Sequence, residues 1–164
     1  MASYDFGKKE VCDWIRASFT KGATCLDVGA CDGKWADLLG EYLTMDACEI
    51  FNANVVEHHL EDKYRSIYVC DIADYSYAYY DIVLFGDVIE HMSVEKAQEV
   101  LRYAEAHSKC IIVGVPMQYK QGILYGNPYE EHIQDDLTPK LMEERYEGLE
   151  LLLRAADDYY YYVG

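Results

Sequence analysis

The fold of this chain is set out by one short stretch, Leu26-Asp27-Val28-Gly29-Ala30-Cys31-Asp32-Gly33-Lys34-Trp35-Ala36-Asp37-Leu38-Leu39. Its first residues are apolar or β-prone and predict a buried strand, and the apolar residues from Trp35 onward recur at helical spacing. Gly29 and Gly33 bracket the turn between them, where glycine allows a positive φ and a close approach of the backbone to a ligand. The helix start behind the turn offers unpaired N–H groups. The stretch therefore predicts a strand–turn–helix corner that can face a ligand.

The spacing of the glycines separates this corner from the dinucleotide-binding fingerprint. The pattern is Asp27-x-Gly29-x-x-x-Gly33, whereas the fingerprint Gly-x-Gly-x-x-Gly uses its middle glycine to let a pyrophosphate approach the backbone. Cys31 takes that middle place, and Asp32 adds a carboxylate to the loop. A carboxylate disfavours a phosphate and favours a ligand with cationic groups. A nicotinamide-dependent oxidoreductase is therefore the weaker interpretation.

The same pattern resembles the first motif of the class I S-adenosylmethionine-dependent methyltransferases. The resemblance implies that the cofactor is S-adenosylmethionine and that the motif supplies four of its binding residues, Asp27, Gly29, Ala30 and Gly33. An ordinary strand–turn–helix corner that binds no ligand is the alternative that this motif alone leaves open.

Length and composition predict a globular protein with one domain over residues 1–164. The chain has 164 residues, of which 51% are apolar and 27% are charged, enough to build a sizeable core. The first ten residues lack the apolar segment of a signal peptide, and no apolar run reaches the ~18 residues of a membrane span. The six cysteines form no Cys-x-x-Cys pair and are expected to be reduced. A cytoplasmic location is the resulting expectation.

The charge of the chain argues against nucleic acid and anionic membranes as partners. The formal net charge is −16, and the 14 lysines and arginines are scattered along the sequence. Nucleic-acid binding requires clustered positive charge. The acidity mildly favours a neutral or cationic small-molecule substrate, although solubility alone also explains it. The sequence leaves a homo-oligomer possible, and it assigns no function to the 17 tyrosines.

Strands alternate with helices five times before two closing strands. The predicted strands are 24–28, 44–50, 66–70, 81–86, 110–115, 149–153 and 159–163, and the predicted helices are 10–19, 34–42, 52–60, 94–107 and 139–147. Such alternation favours a parallel sheet between two layers of helices. We therefore predict an α/β fold with a Rossmann-like, doubly wound, mostly parallel seven-stranded sheet that ends in a C-terminal antiparallel hairpin. This order of elements resembles the class I methyltransferase core.

Acidic residues near the end of the second strand are candidates for binding a ribose. In an open α/β sheet, ligands bind beyond the carboxyl ends of the strands. Glu49 lies about 20 residues after Asp27, the separation expected for an acid that accepts hydrogen bonds from ribose hydroxyls. Asp46 lies earlier in the strand and is the competing acid. We therefore expect Glu49 and its neighbour Ile50 to bind the cofactor, with a solvated strand-end charge as the alternative.

The end of the third strand supplies a second candidate pair, Asp71 and Ile72. The methyltransferase resemblance implies that Asp71 accepts a hydrogen bond from the exocyclic amine of adenine. Ile72 would then pack against the adenine ring. The alternative is that Asp71 caps a helix or a turn.

The fourth strand is followed by Gly86-Asp87-Val88-Ile89-Glu90-His91-Met92. This segment resembles the Asp-Val-Leu-Glu-His segment common among small-molecule methyltransferases, which implies that Asp87 borders the methionine end of the cofactor. His91 and the distant His132 are candidate general bases, because imidazole titrates near neutral pH. Structural histidines are the alternative for both.

A metal is the other interpretation of this segment. Some relatives bind a divalent metal through an acid-x-x-Glu-His pattern at this place, and Asp87, Glu90 and His91 match it, with His132 available to complete the set. Two carboxylates and an imidazole can bind magnesium or a transition metal. Asp87 replaces the more usual glutamate of those relatives, and we therefore expect no metal.

These observations together predict S-adenosylmethionine-dependent methyl transfer to an O- or N-nucleophile, most simply on a small molecule. The leaving group is a neutral thioether, so the enzyme mainly aligns the reactants and excludes water. A catalytically silent S-adenosylmethionine-binding module that acts with a partner is the alternative.

Overall fold

The strands form one mixed sheet in the computed structural model, which describes residues 5–164. The strands are β1 Thr24–Val28, β2 Thr44–Glu49, β3 Ser66–Val69, β4 Tyr80–Gly86, β5 Ser108–Pro116, β6 Glu150–Ala156 and β7 Tyr159–Val163. Their order across the sheet is β3-β2-β1-β4-β5-β7-β6. The first five strands are parallel, and β7 pairs antiparallel with both β5 and β6. The predicted fold class is confirmed.

Helices cover both faces of this sheet. They are α1 Lys8–Ser18, α2 Lys34–Leu39, α3 Asn52–Glu57, α4 Val94–Ala106 and α5 Pro139–Arg145. Because side chains alternate along a strand, Val83 and Phe85 of β4 pack in the core under α4, whereas Ile82 and Leu84 pack in the core under α1 and α2. The apolar run of β4 is therefore explained by burial on both faces.

Most element boundaries differ from the prediction by one to three residues, and α3 ends at Glu57 instead of Leu60. Two of the boundaries that differ, at the ends of α2 and β6, have partners elsewhere in the chain. Helix α2 ends at Leu39, with Gly40 as its C-cap, and does not continue to Tyr42. The Tyr42 hydroxyl instead donates to the carbonyl of Phe19 at 2.8 Å, which ties this residue to the end of α1. Strand β6 runs on to Ala156 through two register shifts, so the turn before β7 is shorter than predicted.

Four of the tyrosines form a buried strand at the centre of the C-terminal half of the sheet. Tyr159 and Tyr161 pack on the α1 and α2 side, and Tyr160 and Tyr162 pack on the α4 side. Aromatic side chains suit a strand that is covered on both faces. Gly114 of β5 makes room for them, since a Cβ there would lie 2.7 Å from the Tyr161 ring.

The structure also bears on two expectations about membranes and targeting. Within residues 5–164, no helix combines the length and the apolar character needed to cross a bilayer. The expectation that the N-terminus is no signal peptide concerns residues 1–10, of which residues 1–4 lie outside the described part of the chain.

Candidate functional site

A cavity of about 470 Å³ opens at the carboxyl edge of the parallel strands. This volume is typical of sites for small molecules and cofactors. Its wall comes from the residues that follow β1 to β5, as expected for an open α/β sheet. Most of the candidate residues from the sequence line it, namely Gly29, Ala30, Glu49, Ile50, Asp71, Ile72, Asp87, His91 and His132.

Asp27 and Gly33 are the two candidates that do not line the cavity. Asp27 is 1% exposed, and its Oδ2 accepts a hydrogen bond from the Tyr64 hydroxyl at 2.5 Å. Burial raises the pKa of Asp27 to about 7. Gly33 has a φ of +76°, and a Cβ there would lie 2.6 Å from Cδ of Lys63. A direct contact of either residue with a cofactor stays a prediction.

The glycine loop turns sharply over the end of β1. Gly29 has a φ of +70°, and a Cβ there would lie 2.8 Å from Cγ2 of Val88. The Gly29 N–H donates to the carbonyl of Cys48 at 2.8 Å, which continues the β1–β2 ladder into the turn. Cys31 also has a positive φ, +50°, a conformation that is uncommon outside glycine. The loop is therefore held close to the residues after β4.

Glu49 fixes this loop from the end of β2. Its side chain is almost fully buried, and its two oxygens accept the N–H groups of Cys31 and Phe51, each at 2.8 Å. Burial raises the pKa of Glu49, and these two hydrogen bonds oppose that rise. The competing acid, Asp46, points elsewhere and pairs with Arg65 and the Tyr80 hydroxyl. Of the two acids, only Glu49 lies at the cavity.

Asp71 lies at the cavity with partners for both of its oxygens. Its Oδ1 caps the short 3₁₀ turn Ile72–Asp74 through the Ala73 N–H at 3.0 Å. Its Oδ2 accepts a hydrogen bond from Nζ of Lys96 at 2.5 Å. The local structure thus matches the capping alternative, and the adenine contact stays a prediction. Sequence reasoning missed Lys96, because only the packing of α4 against the turn brings it near.

Asp87 is partly buried, and residues from the two ends of the chain lie beside it. Its Oδ1 accepts a hydrogen bond from the Tyr159 hydroxyl at 2.6 Å, and its Oδ2 has no hydrogen-bond partner within residues 5–164. Lys8 is 2% exposed, and its Nζ lies 4.5 Å from the centre of the Trp35 ring. Burial raises the pKa of Asp87, whereas the charge of Lys8 and the Tyr159 hydrogen bond lower it. No local sequence signal pointed to Lys8 or Tyr159.

Changing Tyr159 to phenylalanine is expected to lower the free energy of unfolding by about 1.5–3 kcal/mol, the range for losing a hydrogen bond to a charged group. Tyr162→Phe is the matched control, because the Tyr162 hydroxyl is buried on the same strand without a hydrogen-bond partner in the described chain. We expect the control to leave the free energy of unfolding unchanged or to raise it, because it removes a buried hydroxyl that has no hydrogen-bond partner in the described chain. Chemical denaturation measures both, and equal losses would contradict the assigned hydrogen bond.

Glu90, His91 and His132 form a cluster in the wall of the cavity. One ligand atom of each residue lies within 4.8 Å of the others. Nδ1 of His91 lies 3.1 Å from the carbonyl oxygen of Glu131, and Nδ1 of His132 lies 2.7 Å from that of Tyr119. Burial lowers the pKa of His91 to about 4, so this imidazole stays neutral and is a weak base.

The structure divides the acid-x-x-Glu-His pattern of the sequence into two parts. Glu90 and His91 face His132, whereas Asp87 faces Tyr159 and the charge of Lys8. Burial raises the pKa of Glu90 well above its ordinary value, and the charge of Asp87 raises it further. The sequence brought four residues under consideration, and the fold brings three of them together.

The fold is shared with solved methyltransferases. A S-adenosylmethionine-dependent methyltransferase from Clostridium acetobutylicum aligns over 99% of this chain and 92% of its own, with a TM-score of 0.74 and 11% identity. Magnesium protoporphyrin IX methyltransferase from Synechocystis aligns over 94% and 80%, with a TM-score of 0.63 and 15% identity. An O-methyltransferase family protein from Burkholderia thailandensis aligns over 95% of this chain but only 55% of its own, with a TM-score of 0.64 and 14% identity.

Sequence comparison adds nothing to this likeness. No protein-family model matches the chain, and no curated protein matches it. The Synechocystis enzyme has been solved with S-adenosylhomocysteine and with S-adenosylmethionine bound. Similarity at this level of identity concerns the fold, and the chain has the fold of the class I S-adenosylmethionine-dependent methyltransferases.

Proposed function

We propose that this protein transfers a methyl group from S-adenosylmethionine to an oxygen or nitrogen of a small molecule. One observation carries the proposal: the glycine loop and Glu49 lie side by side at the carboxyl edge of a methyltransferase sheet, facing one cavity. The solved proteins with this fold include enzymes bound to the same cofactor and its product.

In this proposal, residues on different sides of the cavity bind different groups of the cofactor. The Glu49 carboxylate keeps unused lone pairs beside its two N–H donors, and these can accept the ribose hydroxyls. Asp32 and Asp87 line the cavity, and a carboxylate there favours a cationic cofactor over a phosphate. When bound, S-adenosylmethionine supplies a methyl group on a positively charged sulfur.

The acceptor would lie against the connection between β5 and α5. Tyr119, Tyr129 and His132 of this connection line the cavity. Aromatic side chains with a few polar groups are typical of small-molecule sites. His91 and His132 remain the predicted bases, although the low pKa of His91 weakens its case.

The experiment that tests this proposal is calorimetric titration of the purified chain with S-adenosylmethionine and S-adenosylhomocysteine. We expect both to bind at one site per chain. NAD serves as the control, because the loop lacks the middle glycine that a pyrophosphate needs. Binding of NAD without binding of either sulfur nucleoside would overturn the proposal.

Glu49→Ala is expected to weaken the binding of S-adenosylhomocysteine by about 10- to 150-fold, since a charged hydrogen-bond partner contributes ~1.5–3 kcal/mol. The loss has two sources, the ribose contacts and the clamp on the Cys31 N–H. Glu57→Ala is the matched control, because Glu57 is exposed on α3. Unchanged affinity in a folded Glu49→Ala protein would contradict the ribose assignment.

The remaining expectations stay predictions. They are a cytoplasmic location, a small-molecule acceptor in place of nucleic acid or a membrane, and a possible homo-oligomer. The silent binding module differs from the proposal in one measurable outcome. It binds both sulfur nucleosides, but it transfers the methyl group to no acceptor and therefore does not convert S-adenosylmethionine to S-adenosylhomocysteine.

A further inference from the structure

Cys48 and Cys70 place two thiols in contact in the wall of the cavity. Their Sγ atoms lie 3.8 Å apart, and both residues line the cavity. The register of β2 and β3 accounts for this contact. It pairs Cys48 with Tyr68, and Cys70 lies two residues further along the chain, so all three side chains are on the same face of the sheet. All six cysteines of the chain are free thiols in this structure.

The two thiols differ in how a reagent can reach them. Cys48 is 2% exposed and lies in the core under α4, whereas Cys70 is half-buried and packs against the rim of that core. Burial raises the pKa of the Cys48 thiol, so this group stays protonated at neutral pH. A small reagent that enters the cavity therefore meets the sulfur of Cys70 first and finds that of Cys48 in contact with it.

The pair can close into a disulfide with most of the movement at one end. An S–S bond is about 2.05 Å long, so the two sulfurs have to approach by roughly 1.8 Å. Cys48 is held within β2, which pairs with β1 on one side and with β3 on the other. Cys70 follows the last residue of β3, the strand at the edge of the sheet. We therefore expect Cys70 to move more than Cys48.

Each thiol directly precedes an acid of the cavity, Cys48 before Glu49 and Cys70 before Asp71. The Cys48 S–H donates to the carbonyl of Cys70 at 3.5 Å, and a disulfide removes this donor. Asp71 in turn caps the turn that follows and accepts a hydrogen bond from Lys96 of α4 at 2.5 Å. A displacement of Cys70 is therefore passed to a side chain that the cofactor is predicted to contact.

We propose that Cys48 and Cys70 form a site of reversible oxidation, at which hydrogen peroxide converts the two thiols to a disulfide that weakens cofactor binding. The formation of the disulfide does not depend on the proposed function, whereas its effect on cofactor binding rests on it. The sequence-based expectation of reduced cysteines then describes one of the two states of this pair.

The oxidation consumes one molecule of hydrogen peroxide and two thiols. The Cys70 sulfur attacks one peroxide oxygen, the O–O bond breaks, and the thiol proton leaves with the other oxygen as water, which gives a sulfenic acid on Cys70. The Cys48 sulfur attacks the sulfur of that sulfenic acid, the S–O bond breaks, and the departing hydroxyl takes the Cys48 proton as a second water. Two electrons pass from the thiols to the peroxide, and a dithiol reductant reverses the change by thiol–disulfide exchange.

The test is oxidation of the reduced chain with hydrogen peroxide, followed by mass spectrometry of peptides cut without reduction. We expect one pair of peptides joined through Cys48 and Cys70, and its separation by dithiothreitol. Calorimetric titration with S-adenosylhomocysteine should show at least about tenfold weaker binding to the oxidised protein than to the reduced protein. Dithiothreitol should restore the affinity.

A bound ligand is expected to slow the oxidation. The pair lines the same cavity as Glu49 and Asp71, so a ligand held by these acids covers the way to Cys70. Saturation with S-adenosylhomocysteine should reduce the rate of disulfide formation at least about fivefold, because oxidation of a thiol depends on its exposure. An unchanged rate would place the bound ligand away from this pair.

Two variants separate the pair from the other cysteines. Cys70→Ser and Cys48→Ala each remove one sulfur of the pair, so peroxide should leave the affinity of each variant for S-adenosylhomocysteine unchanged. Cys12→Ala is the matched control, because it removes a buried thiol of α1. The control should lose affinity on oxidation as the wild type does. Thermal unfolding of every variant verifies that it is folded.

Three outcomes would overturn parts of this inference. The absence of a disulfide between Cys48 and Cys70 after oxidation, or a disulfide that joins another pair, would remove the site. Equal affinities of the oxidised and reduced proteins would remove its effect on the cofactor. A loss of affinity on oxidation in Cys70→Ser would assign that effect to another group. If the reduced protein binds no S-adenosylhomocysteine, the proposed function and the effect on the cofactor fail together, whereas the mapped disulfide stands.

Discussion

Replacing Gly29 with valine is expected to weaken the binding of S-adenosylhomocysteine at least about 100-fold. Two physical effects act together at this position. Its φ of +70° is strained for any β-branched residue, and a Cβ there would lie 2.8 Å from Cγ2 of Val88. The valine would push the glycine loop away from the segment after β4, at the place where the loop and Glu49 meet the cavity. Calorimetric titration measures the loss.

Gly22→Val separates this effect from simple backbone strain. Gly22 also has a positive φ, +87°, but a Cβ there would have no atom within 4 Å. The control should lose some stability and keep its affinity for the sulfur nucleoside. Affinity of Gly29→Val within tenfold of the wild type would show that the loop is not the binding element. A similar loss of affinity in both variants would show a general loss of folding.

The second large effect concerns stability and pH, and it depends on Asp27. Burial raises the pKa of this carboxyl from 3.8 to about 7 in the folded chain. Below about pH 4 both states hold the proton, and between about pH 4 and 7 the unfolded state ionises while the folded state does not. The free energy of unfolding therefore falls as pH rises through this window and then levels off. At ~1.36 kcal/mol per pKa unit, the upper limit of this loss is about 4 kcal/mol.

Asp27→Asn removes this titration. We expect the stability of the variant minus that of the wild type to increase by several kcal/mol between pH 4.5 and 8, measured by urea denaturation. Contacts with Tyr64 that the substitution removes or adds shift the difference by the same amount at every pH, so the test depends only on how the difference changes with pH. Asp62→Asn, at an exposed position of the chain, should show no such trend. A pH-independent difference for Asp27→Asn would show that this carboxyl does not titrate in the window.

Several elements were predictable because their causes are local. The strand–turn–helix corner follows from apolar periodicity and two glycines, and its strand ends at Val28 as predicted. Ser93 caps α4, and Thr138 caps α5, each through a side chain that accepts an N–H three residues on. Such caps act within a single helical turn. The position of the candidate residues at strand ends was predictable for a different reason, because an open sheet places the carboxyl ends of its parallel strands at one edge.

The sequence by itself determined the order of strands and helices, the glycine corner and the acids that follow each strand. Only the tertiary structure decided which side chains meet: Asp87 with Tyr159, and Glu90 and His91 with His132. Spacing along the chain carries no information about such pairs. Side-chain direction, burial and hydrogen-bond partners are set by the packing of distant elements, whereas periodicity is a property of the local sequence.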